Sequence, residues 1–261
     1  MLKKNLVALA LAVAASNNAF AGIPLVTDDT GTQGTGGNQL EFAFARDKNE
    51  DSSIAKEFAV VYTRGIAETV DVFIEKGRQT NTDASGASTS GLGNTVIGAK
   101  WRAWENERKT SFAIKGTFAL PLGEEKEIEG WGTGKTSYEA TLILTQEMAW
   151  GSVNANLGTG REKYSAAAKS LPTDAKEDAK STHFSVAPVF NLNEQVKLAI
   201  DLGVDRSKTD TGSEKSRYGE IGIMYSPSES IDLGLGFIRT TDEDSKDVTN
   251  IVTGGLTWRF K

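Results

Sequence analysis

The sequence predicts an all-β protein, a transmembrane antiparallel up-and-down β-barrel of twelve strands with short periplasmic turns and long extracellular loops. Three observations lead there. Segments of roughly eight to twelve residues alternate apolar and polar side chains with period two, the mark of a strand with one greasy face. The breaks between segments are alternately short and long, as in a chain shuttling between two sides of a bilayer. An export leader precedes them all.

Residues 1–21 read as a signal peptide. Lys3 and Lys4 make a basic start, Leu6 to Ala15 an apolar run, and Ala19 and Ala21 fill the small-residue positions of a cleavage site. The apolar run is too short to span a bilayer. Cleavage after Ala21 leaves 27 of the 29 bases against 35 acids, a net charge of −8. That balance argues against nucleic acid as a partner. The chain has no cysteine, which excludes disulfides and thiolate sites.

Residues 22–38 follow as an N-terminal periplasmic or plug segment, rich in Gly and Thr around Thr27, Asp28 and Asp29. A hard cation would suit such oxygens, but no spaced acid completes a calcium loop. The expected place is the periplasmic mouth, with the acids hydrogen-bonded to turn amides.

The barrel occupies 39–261. Its strands are expected near 39–46, 54–64, 69–78, 94–104, 109–120, 137–149, 152–162, 181–191, 196–206, 216–226, 230–240 and 248–260. In the fifth, Phe112, Ile114 and Phe118 oppose Ser111, Ala113, Lys115 and Thr117. In the ninth, Val196, Leu198, Ile200, Leu202 and Val204 oppose Lys197, Ala199, Asp201, Gly203 and Asp205. In the eleventh, Ile231, Leu233, Leu235 and Phe237 oppose Asp232, Gly234 and Gly236. The stretch 165–180 holds helix formers, but Pro172 divides it and no apolar stripe appears. Strands running from a long loop to a short turn end in aromatics: Tyr62, Trp101 or Trp104, Trp150, Phe190, Tyr225, and Trp258 with Phe260. Rings at one level form a girdle where lipid meets water.

A soluble sandwich would bury the greasy faces, whereas a membrane barrel turns them outward. The leader, the absence of cysteine, strands long enough for a tilted crossing, the turn asymmetry and the even strand count favour the barrel.

The segment from Pro24 to Glu41 is similar to the N-terminal signature of a family of outer-membrane transporters labelled for the meta-cleavage pathway of phenol degradation. The matching residues are Pro24, Leu25, Thr27, Asp28, Asp29, Gly31, Gly34, Gln39, Leu40 and Glu41. "SGLGN" at 90–94 resembles that family's Gly-Leu-Gly-Asp element, with Asn94 in place of the acid. The resemblance implies a barrel passing small solutes, aromatic ones among them. "GGLTWRF" near the C-terminus resembles the signal read by barrel-assembly machinery, although Lys261 follows the final aromatic. Outer-membrane lipid, that machinery and small solutes are thus the expected partners, and the cell outer membrane the expected location.

Candidate chemistry is sparse, and no cofactor or energy-coupling motif appears. Gly134-Lys135-Thr136 resembles the tail of a phosphate loop, but Glu129 stands where its first glycine belongs and a strand follows instead of a helix. His183 is the single histidine, with Ser185 two residues on. An outer-membrane hydrolase could use such a pair, but no sequence feature names the group that would orient the imidazole. The polar parity of the strands supplies the lumen: Glu41, Glu57, Asp71, Glu75, Lys100, Arg102, Lys115, Glu139, Glu147, Lys197, Asp201, Glu220, Asp232 and Arg259. Nine acids meet five bases, so cross-lumen ion pairing is expected, with a bias toward cations and polar neutral solutes. Glycines at 158, 160, 203, 222, 234 and 236 share that parity and point to an open path. The function read from all this is a passive channel, the rivals being the His183 hydrolase and a closed structural or adhesive barrel.

Overall fold

The computed structural model describes residues 23–173 and 175–261; the signal segment lies outside the described residues. The chain forms β1 (Asn38–Asn49), β2 (Ile54–Ala67), β3 (Val70–Thr82), β4 (Ser88–Glu105), β5 (Thr110–Leu120), β6 (Ser137–Met148), β7 (Gly151–Glu162), β8 (Ala179–Asn191), β9 (Val196–Lys208), β10 (Ser213–Ser228), β11 (Ile231–Asp242) and β12 (Val248–Phe260). Each strand pairs antiparallel with its chain neighbour, and β12 closes on β1 from Asn38↔Phe260 to Asn49↔Thr249. Closure leaves no open edge, which hydrocarbon would not tolerate.

Outward side chains form a continuous apolar band. Ile221 is 61% exposed, Leu235 and Leu202 57%, Phe118 and Phe184 51%. Exposure of so many large apolar groups is untenable in water and natural against acyl chains. Tyr62, Trp101, Trp104, Trp150, Tyr225 and Trp258 are exposed at the short-turn end, with Phe190 stacked 4.9 Å from Trp150 and Phe260 4.6 Å from Trp258. A bulge between Arg102 and Trp104 shifts the parity of β4, so both of its tryptophans face outward.

Two features differ from expectation. Most outer strand ends run past the apolar alternation, leaving only 50–53, 83–87, 209–212 and 243–247 as connections there. Pairs such as Thr80↔Ser90 and Asn81↔Thr89 extend the ladder beyond lipid, where water wets both faces and no alternation is required. The longer loops, 121–136 and 163–178, carry the short helices α1 (Glu124–Ile128) and α2 (Ala166–Lys169). Helix α2 forms within the stretch that Pro172 divides, because Ser165 caps it by accepting from the Ala168 amide at 3.2 Å.

The inner wall is also less polar than alternation alone implies. Val61, Val96, Ile143, Ile238 and Ile251 are buried on lumen parity. The N-terminal segment explains several of these placements.

Candidate functional site

Residues 23–37 enter the lumen and run around its wall, without joining the β-ladder. Before β1 the chain turns through Gly34 and Gly36, whose φ of 70° and 81° suit glycine. The amide of Gly36 donates to the Gly65 carbonyl at 2.9 Å. The Gln33 amide donates to both Asp71 carboxylate oxygens on β3 at 3.1 Å. Further along, Thr30 pairs its hydroxyl with Ser111 of β5 at 2.5 Å, and its amide donates to Thr145 of β6 at 3.1 Å. Asp28 accepts from Lys115 at 2.8 Å and from Lys100 at 3.4 Å, and its amide donates to Asn156 of β7 at 2.6 Å. Thr27 reaches Asp201 on β9 through its amide and its hydroxyl, both at 2.7 Å.

Apolar residues complete the circuit. Leu25 packs with Ala187, Val189 and Ala199, and Val26 packs against Ala45, Tyr218, Ile238 and Ile251. Ile23 meets Ala43 and Ala59. Three of the six lumen glycines therefore do not open a path. A Cβ at Gly222 would lie 2.7 Å from Pro24, at Gly236 2.9 Å from Pro24, and at Gly234 2.5 Å from the Ile23 carbonyl. Small residues are there because the Pro24 ring and the Ile23 backbone lie against them. The segment sits deeper than the periplasmic mouth, because Lys100 and Lys115 draw Asp28 inside. Both acids still accept from turn amides as expected, Asp28 from Asp29 at 2.9 Å and Asp29 from Gly31 at 2.7 Å.

The lumen charges separate into two regions. Ion pairing converges on Asp28, a residue of the segment, instead of joining facing walls. Burial opposes the Asp28 charge, but Lys100 and Lys115 outweigh it and hold the carboxyl below its usual range. On β1–β3 an acid stripe rises: Glu41 and Glu75 flank Val61 at one ladder level, and Glu57 lies opposite Ala45 and Gln79 further out. One oxygen of Glu41 and one of Glu75 are buried with no hydrogen-bond partner. Glu220 is buried on β10, and Glu139 is half-buried on β6. Arg259 pairs with Asp232 at 2.6 Å near the short-turn end, and Arg102 with Glu105 at 3.4 Å. Glu147 and Lys197 are exposed at that rim.

His183 has the partners that the sequence did not name. Its Nδ1 lies 2.7 Å from Asp205 and its Nε2 2.9 Å from Ser185. Asp205 faces His183 directly across the β8–β9 ladder, a register that no local pattern announces. The Ser185 hydroxyl, however, is fully buried and in contact with Thr27 at 2.8 Å. The Asp201 carboxylate stands beside it, where an oxyanion would be repelled.

The sequence model of the family described as "Putative MetA-pathway of phenol degradation" matches residues 21–260. The chain belongs to this family. No curated protein matches it by sequence. Among solved structures, an outer membrane channel from Pseudomonas putida F1 is similar at TM-score 0.68 and 10% identity, over 89% of this chain and 98% of that one. The NanC porin is similar at 0.56 and 9%, over 84% and 98%. The β domain of the Bordetella autotransporter BrkA is similar at 0.55 and 12%, over 87% and 100%. At such identities the shared property is the fold.

In this member of the phenol-degradation family, Asn94 has a clear use. Its amide donates to the carbonyls of Leu120 at 2.6 Å and Thr133 at 2.9 Å, and its oxygen accepts from the Thr133 amide at 2.9 Å. An ionised Asp could accept but not donate, so Asn is what ties loop 121–136 to the barrel rim. Glu127 of α1 then joins the two longer outer loops, accepting from the amides of Gly134 at 2.6 Å and Ser165 at 2.9 Å. The backbone amide in the phosphate-loop-like stretch is thus already engaged by a carboxylate.

Burial opposes the Glu127 charge, but bonds from Ser165 and Gly134 prevail and lower its pKa. A depressed carboxyl contributes stability that is present above its unfolded pKa and lost as pH falls through its folded one. Glu127→Ala should leave the two amides unsatisfied, loosening the loops by about 1–3 kcal/mol per orphaned group. Protease nicking within 121–136 and 163–178 should accelerate while the barrel stays intact. Unchanged nicking would show that the loops do not depend on Glu127.

Proposed function

We propose that the protein is an outer-membrane channel for passive passage of small solutes, obstructed at rest by its own N-terminal segment and biased toward cations and polar neutral solutes. The observation that carries this reading is the mode of obstruction. A closed barrel holds residues 23–33 in its lumen through side-chain hydrogen bonds, one ion cluster and small apolar contacts, the backbone pairing to Gly65 lying beyond them at Gly36 and Gly37. Such contacts can release without unfolding the wall. A purely structural barrel would more simply fill its lumen from its own strands.

The acid stripe supports the cation bias, since Glu41, Glu57 and Glu75 face the lumen on adjacent strands. A cavity of about 20 Å³ opens on this wall beside Asp47 and Glu57, room for about one water molecule. Aromatic solutes are part of the proposal on the strength of the family's description; they would pass only with the segment displaced. The hydrolase reading is not adopted, because Ser185 is covered and flanked by Asp201.

Planar-bilayer recording across a potassium chloride gradient tests the reading. Wild type should give discrete conductance steps and a cation-selective reversal potential. Replacing Glu41, Glu57 and Glu75 together by Gln should move that potential toward the anion side and reduce cation preference several-fold. Folded protein that shows no steps would favour a closed barrel, and an unmoved reversal potential would remove the stripe from the mechanism.

A further inference from the structure

We propose that a belt of basic side chains on the lipid-facing surface, at the outer end of the barrel, holds the phosphate groups of outer-leaflet glycolipid. Charge on the outer halves of the strands is sorted by face. Going outward from the apolar band, Arg46 comes next after Phe44 on β1, Lys56 after Phe58 on β2, Arg206 after Val204 on β9 and Arg239 after Phe237 on β11. On β7 and β8 one threonine intervenes, and then Arg161 and Lys180 stand exposed. The acids Asp47, Glu57, Asp205 and Asp242 of these strand ends lie on the lumen parity instead.

The ladder sets like charges side by side. Arg161 faces Lys180 across β7–β8, and Lys180 faces Lys208 across β8–β9. These three exposed bases share one rung that covers two strand spacings, about 10 Å. Arg206 faces Lys215 on β10, and Arg46 faces Lys56. Like charges directly opposite one another weaken an antiparallel pair. Among the described residues, none of Arg161, Lys180, Arg206 and Lys208 is in an ion pair. The bases of this end that are, Lys126, Lys169 and Lys215, pair with the loop acids Glu129, Asp178 and Glu243. An anion lying against the outer wall would offset the repulsion.

The height of the belt names that anion. Leu157, Phe184 and Leu202 of the apolar band lie just below it on the same strands. One molecule therefore meets both surfaces, its acyl chains against the band and its head group against the bases. Lysine offers phosphate a point charge and arginine a fork of parallel donors. Basic clusters at the edge of an apolar surface bind anionic head groups in this way. Free phosphate would meet the bases but gain nothing from the band. The short-turn end presents the rings of Tyr62, Trp101 and Trp150 in place of bases, so the two rims fit two different leaflets. The inference rests on the orientation of the barrel in the membrane and not on conduction.

Lipid binding by folded protein tests it. Protein in neutral detergent, with a chelator so that no divalent cation bridges, is titrated with bisphosphorylated lipid A and with the same glycolipid stripped of phosphate. Native mass spectrometry reads bound lipid. Wild type should bind the phosphorylated form at least tenfold more tightly than a variant carrying Arg161→Gln, Lys180→Gln and Lys208→Gln, and its binding should weaken as salt is added. Without lipid, that variant should unfold at a higher temperature than wild type, since facing like charges are gone. A control with Arg108→Gln, Lys109→Gln and Lys261→Gln, at the opposite end, changes net charge equally and should bind as wild type does. Equal affinity in wild type and the belt variant, or equal binding of the stripped lipid, would overturn the proposal. Inorganic phosphate that stabilised wild type as much as the lipid at equal concentration would also overturn it, by making the belt a site for free anions. Should the belt variant not fold, Lys180→Gln alone removes the central base and should weaken binding several-fold; unchanged affinity there is equally decisive against the belt.

Discussion

Removing residues 23–33 should raise single-channel conductance several-fold. Twelve strands enclose more space than a small eight-stranded barrel that side chains fill, and less than a porin. Here the surplus is taken by the segment, which rests on the bare backbone at Gly222, Gly234 and Gly236. Deletion uncovers those glycines and leaves no side chain to replace what is lost. The barrel itself should survive, because the β1–β12 closure begins at Asn38 and the Gly34–Gly37 turn is retained. Folding can be verified by the heat-dependent gel mobility typical of intact barrels. A correctly folded deletion with wild-type conductance would mean that the segment is not the obstruction.

Asp28→Ala should release the segment nearly as completely through one side chain. It removes the carboxylate that both Lys100 and Lys115 reach, with Lys115 and Asp28 buried together. Removing one partner of a buried ion pair typically costs about 3–5 kcal/mol. Conductance should move toward that of the deletion, and protease should cut within 23–37. Adding Lys115→Met should recover part of the lost stability, since a buried ammonium goes with it. Wild type should show the same release on acidification: the Asp28 contribution is present above the ordinary carboxylate range and is lost as pH falls below it. A segment that stays seated in Asp28→Ala would assign its anchorage to the apolar contacts of Ile23, Leu25 and Val26 instead.

The strands were legible because lipid imposes a local rule. Phe112, Ile114 and Phe118 must face acyl chains, and their neighbours must not, so the alternation is written within eight residues. The aromatic ends were legible for the same reason, as each ring marks a depth in the membrane and not a partner. The lumen obeys no such rule. Ile143, Ile238 and Ile251 sit on its parity beside Glu220 and Asp201. The glycines at 222, 234 and 236 looked like open space and proved to be a seat, since an absent side chain is silent about what approaches it.

By itself, then, the sequence determined the membrane-spanning β architecture, the strand count and which face meets lipid. The tertiary structure decided how those lumen residues are used. Thr27 meets Asp201 across 174 residues and Asp28 meets Asn156 across 128, contacts set by barrel closure and strand register. Periodicity is a property of neighbours along the chain and survives in one dimension. A hydrogen-bonded series such as Asp205–His183–Ser185–Thr27–Asp201 exists only once separate strands and the segment share one enclosed volume.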